Sequence, residues 1–228
     1  MKLIQRHGYI EFLRRNRERS IIKVVSGIRR CGKSTLFRLF KDELLAEGVK
    51  PEQIISINFE ELEYESLREY HALYQYILNQ MQPNQMNYIF LDEIQHVDQF
   101  HRVVDSLFVK ENTDIYITGS NAYFMSSDIA TLLTGRYVEI QMLPLSFAEF
   151  YYSKYEEQQY SLIPAYEAYL RESSFPYTQQ LGGEDFDIQE YLRGLFNTLL
   201  LHDVVARLKI NDVTILQDLS LIHISEPT

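Results

Sequence analysis

Short apolar runs alternate along the first two thirds of the chain with segments whose apolar positions recur at helical spacing. That rhythm predicts a parallel sheet joined by crossover helices. "IIKVVSG" (21–27) reads as the first strand, and "KSTLFRLFKDELLAEG" (33–48) as an amphipathic helix closed by Gly48. "IISINFE" (54–60) is the second strand and "LREYHALYQYILNQM" (67–81) the helix after it. "NYIFLDE" (87–93) is apolar enough to be central and covered on both faces. A helix near "QFHRVVDSLFVK" leads to a fourth strand, "DIYITGS" (114–120). A helix around 121–134 then leads to a fifth strand, "RYVEIQML" (136–143).

Beyond "LPLSFAEF" (143–150) the rhythm changes, and the pattern becomes helical and rich in tyrosine. The Pro/Gly-bearing stretch "SSFPYTQQLGGEDFD" interrupts it and marks a loop. The expected division is an α/β core over 1–150 and the start of a helical second domain over 151–219. The final residues, "SLIHISEPT" (220–228), do not continue either pattern. They are similar to translated sequencing-adapter sequence and are expected to be a non-native tail on a truncated chain.

Composition adds exclusions. A single cysteine rules out an internal disulfide framework and makes a reducing cytoplasm the expected location. The N-terminus lacks the apolar core of a signal peptide, and no window approaches the ~20 apolar residues of a membrane helix. The net charge of −10 argues against indiscriminate nucleic-acid binding, yet it is uneven. Residues 1–50 carry 13 Lys and Arg against 5 Asp and Glu, so this part is basic in an acidic chain. Its cluster "RRNRER" (Arg14, Arg15, Arg17, Arg19) reads either as a solvated helix end around a nucleotide mouth or as a docking face. Such a face would take nucleic acid or an acidic partner.

The chemistry enters between the first strand and its helix. Gly27, Gly32, Lys33 and Ser34 are spaced as G-x-x-x-x-G-K-[ST]. A loop that wraps backbone amides around phosphate oxygens needs glycine where a side chain would collide or φ must be positive. The helix N-terminus adds partial positive charge. Gly27, Ile28, Arg29, Arg30, Cys31, Gly32, Lys33, Ser34 and Thr35 are therefore the expected nucleotide-binding segment. Lys33 would reach the β/γ-phosphates, and the Ser34 hydroxyl would hold Mg²⁺. Arg29 and Arg30 lie where only backbone is needed, and the spacing gives neither a role. Cys31 reads as filler.

Asp92 ends the third strand at the edge where open α/β sheets bind ligands, and suits Mg²⁺. Glu93 beside it can orient and deprotonate an attacking water. At the end of the fourth strand, Ser120 or Asn121 would face the γ-phosphate or the water, with Thr118 a weaker candidate. Ser and Asn are also ordinary helix caps there. Arg136, just before the fifth strand, could meet the γ-phosphate of its own site or of a neighbour's.

"GIRRCGKST", "IFLDEIQ", "TGSNAYFMSS" and "LLTGRYVEIQMLPLSFAEF" together resemble the prokaryotic AAA-like P-loop ATPases that carry a C-terminal domain of unknown function. The resemblance implies the ASCE division, an α/β three-layer core whose mainly parallel five-stranded sheet places the fourth strand between the first and third. It implies Lys33, Ser34, Asp92 and Glu93 as nucleotide, metal and water-activating residues, "TGSN" as sensor and Arg136 as an arginine contact. It also implies continuation into a winged-helix-like segment, of which "NTLLLHDVVARLKINDVTILQDL" is the beginning.

The leading expectation is thus Mg²⁺-dependent ATP hydrolysis coupled to a change in a C-terminal region that engages a protein or DNA partner. If Arg136 acts on a neighbour, the unit is a homo-oligomer. A nucleotide switch with negligible turnover is the alternative. A small-molecule kinase is disfavoured by Glu93, and a DNA-processing motor rests only on the basic first 50 residues.

Overall fold

The computed structural model describes residues 4–120, 133, 135–155, 160–181 and 185–199. Five parallel strands form one sheet in the order β2-β3-β4-β1-β5. They are β1 (Ile22–Gly27), β2 (Ile54–Asn58), β3 (Asn87–Asp92), β4 (Thr113–Ser120) and β5 (Tyr137–Met142). The fourth strand lies between the first and third, as the resemblance implies. β1, β3 and β4 are buried almost throughout, the signature of strands covered on both faces.

Period-two alternation divides the strand residues between two apolar layers. Val24, Ile57, Ile89, Leu91, Ile115 and Ile117 pack with Leu73 and Ile77 of α3 (Tyr70–Gln80) and Val103, Val104 and Leu107 of α4 (Phe100–Phe108). Val25, Tyr88, Phe90 and Tyr116 pack with Leu13 of α1 (His7–Asn16) and Leu36, Phe37 and Phe40 of α2 (Lys33–Ala46). Phe90 stacks on Tyr116 at 4.6 Å, and Phe37 meets Phe90 edge-on at 5.2 Å. This aromatic wedge fixes α2 against the sheet, and with it the loop that α2 begins.

The pattern placed one long helix over 67–81, whereas a 3-10 helix (Leu62–Arg68) precedes α3. Glu69 is extended between them. Its carboxylate accepts from the His71 and Ala72 amides at 3.0 and 2.8 Å, a cap that starts α3 afresh. The helix expected around 121–134 lies outside the described residues, as do residues 200–228.

α1 brings the basic cluster to the rim of the sheet where the strands begin, opposite the end of β1 that leads into the loop 27–33. Arg14 forks onto Glu43 at 2.9 Å and reaches Glu11 at 2.7 Å. Arg17 pairs with Glu47 and Glu18, and donates to the Tyr88 hydroxyl at 3.1 Å. At the same rim Lys23 and Asp114 form a salt bridge with both side chains fully buried. Asp114 also accepts from Tyr116 Oη at 2.6 Å and the Glu18 amide at 2.8 Å. Burial pulls the Lys23 amine below the ordinary lysine value, with Asp114 opposing, and burial, then the Asp114 charge, pushes the Tyr116 phenol up.

A buried pair tolerates loss of one partner poorly. Asp114→Ala, which strands the Lys23 ammonium, is expected to lower unfolding free energy by about 3–5 kcal/mol. Lys23→Met should cost less, because Asp114 keeps its two other donors. Denaturant midpoints measure both, and a loss under about 1 kcal/mol for Asp114→Ala would refute the assignment.

After β5 come α5 (Phe147–Tyr155) and α6 (Leu162–Glu172), then α7 (Asp185–Leu199). The chain divides into compact units Met1–Tyr177 and Thr178–Thr228, with α5 and α6 in the first and α7 in the second. No helix among the described residues is long and apolar enough to cross a membrane.

Candidate active site

Because all five strands run in parallel, the ends of β1, β3 and β4 open on one rim. That rim gathers the loop 27–33, the Asp92-Glu93 pair, Thr118 and Ser120. At Gly27 a Cβ would lie 2.4 Å from the Met142 carbonyl oxygen and 2.9 Å from Cys31 Sγ, so the loop can pack on β5 only through glycine. Gly32 sits at φ 107°, and this left-handed turn lets α2 begin with Lys33 facing inward. Arg30 also takes a left-handed conformation, at φ 63°, with its side chain exposed.

Lys33 is 4% exposed. Its ammonium donates to the Gly27 carbonyl at 3.1 Å and the Ile28 carbonyl at 3.4 Å, and lies 3.1 Å from Glu93 Oε1. Glu93 adopts φ 54°, a left-handed conformation that costs a non-glycine residue roughly 1–2 kcal/mol. Its amide donates to Thr118 Oγ1 at 2.9 Å, and the same hydroxyl donates to Asp92 Oδ1. One threonine therefore fixes both acids. Gln95 Nε2 donates to Glu93 Oε2 at 2.5 Å.

The electrostatics separate the two carboxyls. Burial pushes Asp92 up, although bonds from Ser34 and Thr118 and the Lys33 charge oppose it. Burial also raises Glu93, but Lys33, the Gln95 bond and Arg29 outweigh it and leave a net lowering. Glu93 is thus held as carboxylate beside a cation, while Asp92 is costly to ionise without one. The Ser34 hydroxyl bonded to Asp92 presents two oxygens side by side. That donor set fits Mg²⁺, which keeps water and phosphate ligands and takes few from protein. No cluster of three metal-binding side chains occurs among the described residues, which is the cage such an ion does not need.

Ser120 is fully buried with its Oγ unpartnered among the described residues, so it has a hydrogen bond to offer a ligand. Asn121 lies outside the described residues. Cys31 is buried, and burial raises its thiol, consistent with packing rather than chemistry. Thr35 is half-buried in the first turn of α2. Arg29 reaches toward Glu60 Oε1 at 3.6 Å and also acts on Glu93, so it bridges the β2 and β3 ends beside the site.

Arg136 is not brought to this rim. It precedes β5, and its carbonyl accepts from the Ile22 amide at 2.9 Å, at the strand-start rim. Five strand steps, about 16 Å, separate Ile22 from Gly27. The exposed guanidinium packs over the Phe108 ring at 5.6 Å. Arg136 thus stands at the rim opposite the loop 27–33.

A family model described as AAA domain matches residues 19–151, more than half of the chain. The chain belongs to this AAA domain family. The match runs from the start of β1 to α5 and takes in every residue of the rim. An uncharacterized protein of Haemophilus influenzae is 38% identical over 222 residues, 96% of this chain and 55% of that protein. An uncharacterized protein of Methanocaldococcus jannaschii is 34% identical over 208 residues, 84% of this chain and 44% of that one. The chain thus spans about half the length of the curated relatives it matches. A Walker-type ATPase of Pyrococcus abyssi shares the fold, with TM-score 0.55 over 87% of this chain and 74% of that one at 17% identity. The AAA domain seen here is an AAA-like P-loop ATPase fold.

Thr118 and Gln95 extend the site beyond the sequence motifs, and Arg29, inside the first of them, gains contacts with Glu60 and Glu93. Thr118 had a weak signal as a hydroxyl at a strand end. Gln95 stood within "IFLDEIQ" without a role, and the partner of Arg29, Glu60, lies 31 residues away.

Proposed function

We propose that this AAA domain binds ATP with Mg²⁺ and hydrolyses it. The observation that carries the reading is the convergence of Lys33, Ser34, Asp92 and Glu93 on one sheet rim, with Lys33 Nζ 3.1 Å from Glu93. The loop amides and Lys33 would hold the phosphates, and Ser34 and Asp92 the cation. When bound, Mg²⁺ would neutralise charge on the phosphate oxygens. Glu93 would orient and deprotonate the attacking water, its carboxylate aimed by Gln95 and its backbone by Thr118. Ser120, and Asn121 beside it, would report the γ-phosphate. A phosphate entering the loop competes with the Gly27 and Ile28 carbonyls, and with Glu93, for the Lys33 ammonium. Phosphate binding would thereby release Glu93 for its role on water.

Hydrolysis would act on the helices after residue 150 and on whatever follows them in the longer relatives. Arg136, exposed and distant from its own loop, is available only to a neighbouring copy, a role that requires an oligomer. A protein or DNA partner would be engaged through the C-terminal region.

ATP turnover and equilibrium ATP binding by wild type and Lys33→Ala, with and without DNA, test the reading. Loss of the ammonium is expected to weaken ATP binding at least about tenfold. Equal binding by both proteins would sink it. Tight binding without turnover in wild type would instead favour a nucleotide switch.

A further inference from the structure

Arg6 is 4% exposed and carries four hydrogen bonds that reach three separate parts of the α/β unit. Its Nη1 donates to the Cys31 carbonyl at 3.3 Å and the Leu143 carbonyl at 2.9 Å. Nη2 donates to the Pro144 carbonyl at 3.3 Å, and Nε to Glu149 Oε1 at 2.7 Å. The guanidinium lies over the Tyr9 ring at 4.5 Å, and the Tyr9 hydroxyl accepts from the Leu143 amide at 3.2 Å. Glu149 is itself fixed, because its other oxygen accepts from the Ser146 amide at 2.8 Å and Ser146 Oγ at 3.0 Å, a capping box at the start of α5.

We infer that Arg6 is a positioning residue for the phosphate loop. The Cys31–Gly32 peptide is planar and trans, so its C=O and N–H point in opposite directions. By holding the Cys31 carbonyl on the side of β5 and α5, Arg6 turns the Gly32 N–H the other way, into the concave side of the loop that would take phosphate. The same side chain ties the loop to the Leu143–Pro144 turn and the cap of α5. The geometry of the loop and the direction in which α5 leaves the sheet therefore share one fastening.

The inference rests on nucleotide binding at this loop, so wild-type ATP affinity is measured first. Arg6→Ala is expected to bind ATP about tenfold more weakly, with a smaller change in kcat at saturation, because the catalytic carboxylate is untouched. Added guanidinium ion, filling the vacated side-chain space, should restore part of the affinity. Glu149→Ala removes the ion pair and the α5 cap but leaves Arg6 its three carbonyls, and should keep ATP affinity within about twofold of wild type. Thermal unfolding of each variant separates loss of fold from loss of binding. An unchanged affinity in folded Arg6→Ala overturns the inference, and so does an equal loss in Glu149→Ala. If Arg6→Ala does not fold, Arg6→Lys decides, since one ammonium cannot span the four acceptors: wild-type affinity in it is the overturning result. Failure of wild type itself to bind ATP removes the reading of the site and this inference together, whereas binding by wild type and by Arg6→Ala alike removes only the second.

Discussion

Glu93→Gln is expected to reduce ATP turnover by about 10²–10⁴-fold, the range of a lost general base. ATP should bind at least as tightly as before, and a bound nucleotide should persist through gel filtration. The two effects have separate causes. Gln95 Nε2 and the Glu93 amide on Thr118 hold the residue's position whatever its charge, so the glutamine occupies the same place without accepting a proton. Lys33, now 3.1 Å from a neutral amide, is released to the phosphates. A variant that turns over ATP within about twofold of wild type would show that Glu93 is not the base.

Gly27→Ala should damage both stability and nucleotide binding. The added Cβ would press on the Met142 carbonyl at 2.4 Å and on Cys31 Sγ at 2.9 Å. Met142 pairs with Gly27 in the β1–β5 ladder, so the backbone it meets cannot swing aside as a side-chain tip could. Overpacking of this kind costs about 1–3 kcal/mol, and here the displaced element is the phosphate loop itself. Gly8→Ala is the matched control. It lies in α1 with nothing within 4 Å of the added Cβ, and should be neutral or gain up to about 1 kcal/mol from helix propensity. Denaturant midpoints and ATP titration on the two variants check this, and wild-type values for Gly27→Ala would refute the close approach.

Much of the fold was readable because local pattern and tertiary role agree. β3 announces itself as "YIFLD" since a strand covered on both faces needs apolar residues at every position. The loop and the acid pair were legible because their spacing is local and the chemistry demands particular residue types. The pattern hints at α1 only as a helix end at its arginines, because these mask the recurrence of Ile10, Leu13 and buried Asn16 at helical spacing. Those arginines lie at the far rim because their partners, Glu43, Glu47 and Tyr88, come from α2 and β3, which no local pattern reveals. Arg6 left no motif at all, its partners standing 25, 137, 138 and 143 residues away. Thr118 could be weighed only as one hydroxyl among several, since its double hold on Asp92 and Glu93 depends on β4 lying beside β3.

The buried Lys23–Asp114 pair and the Lys33–Glu93 pair stand at opposite ends of neighbouring strands, about 16 Å apart by strand rise. Sites at that separation with no shared partner contribute to free energy independently, to within about 0.5 kcal/mol. Robustness and reactivity are therefore separable traits in this domain. A library confined to the strand-start rim could raise its melting temperature while leaving the chemistry at the other rim as it found it.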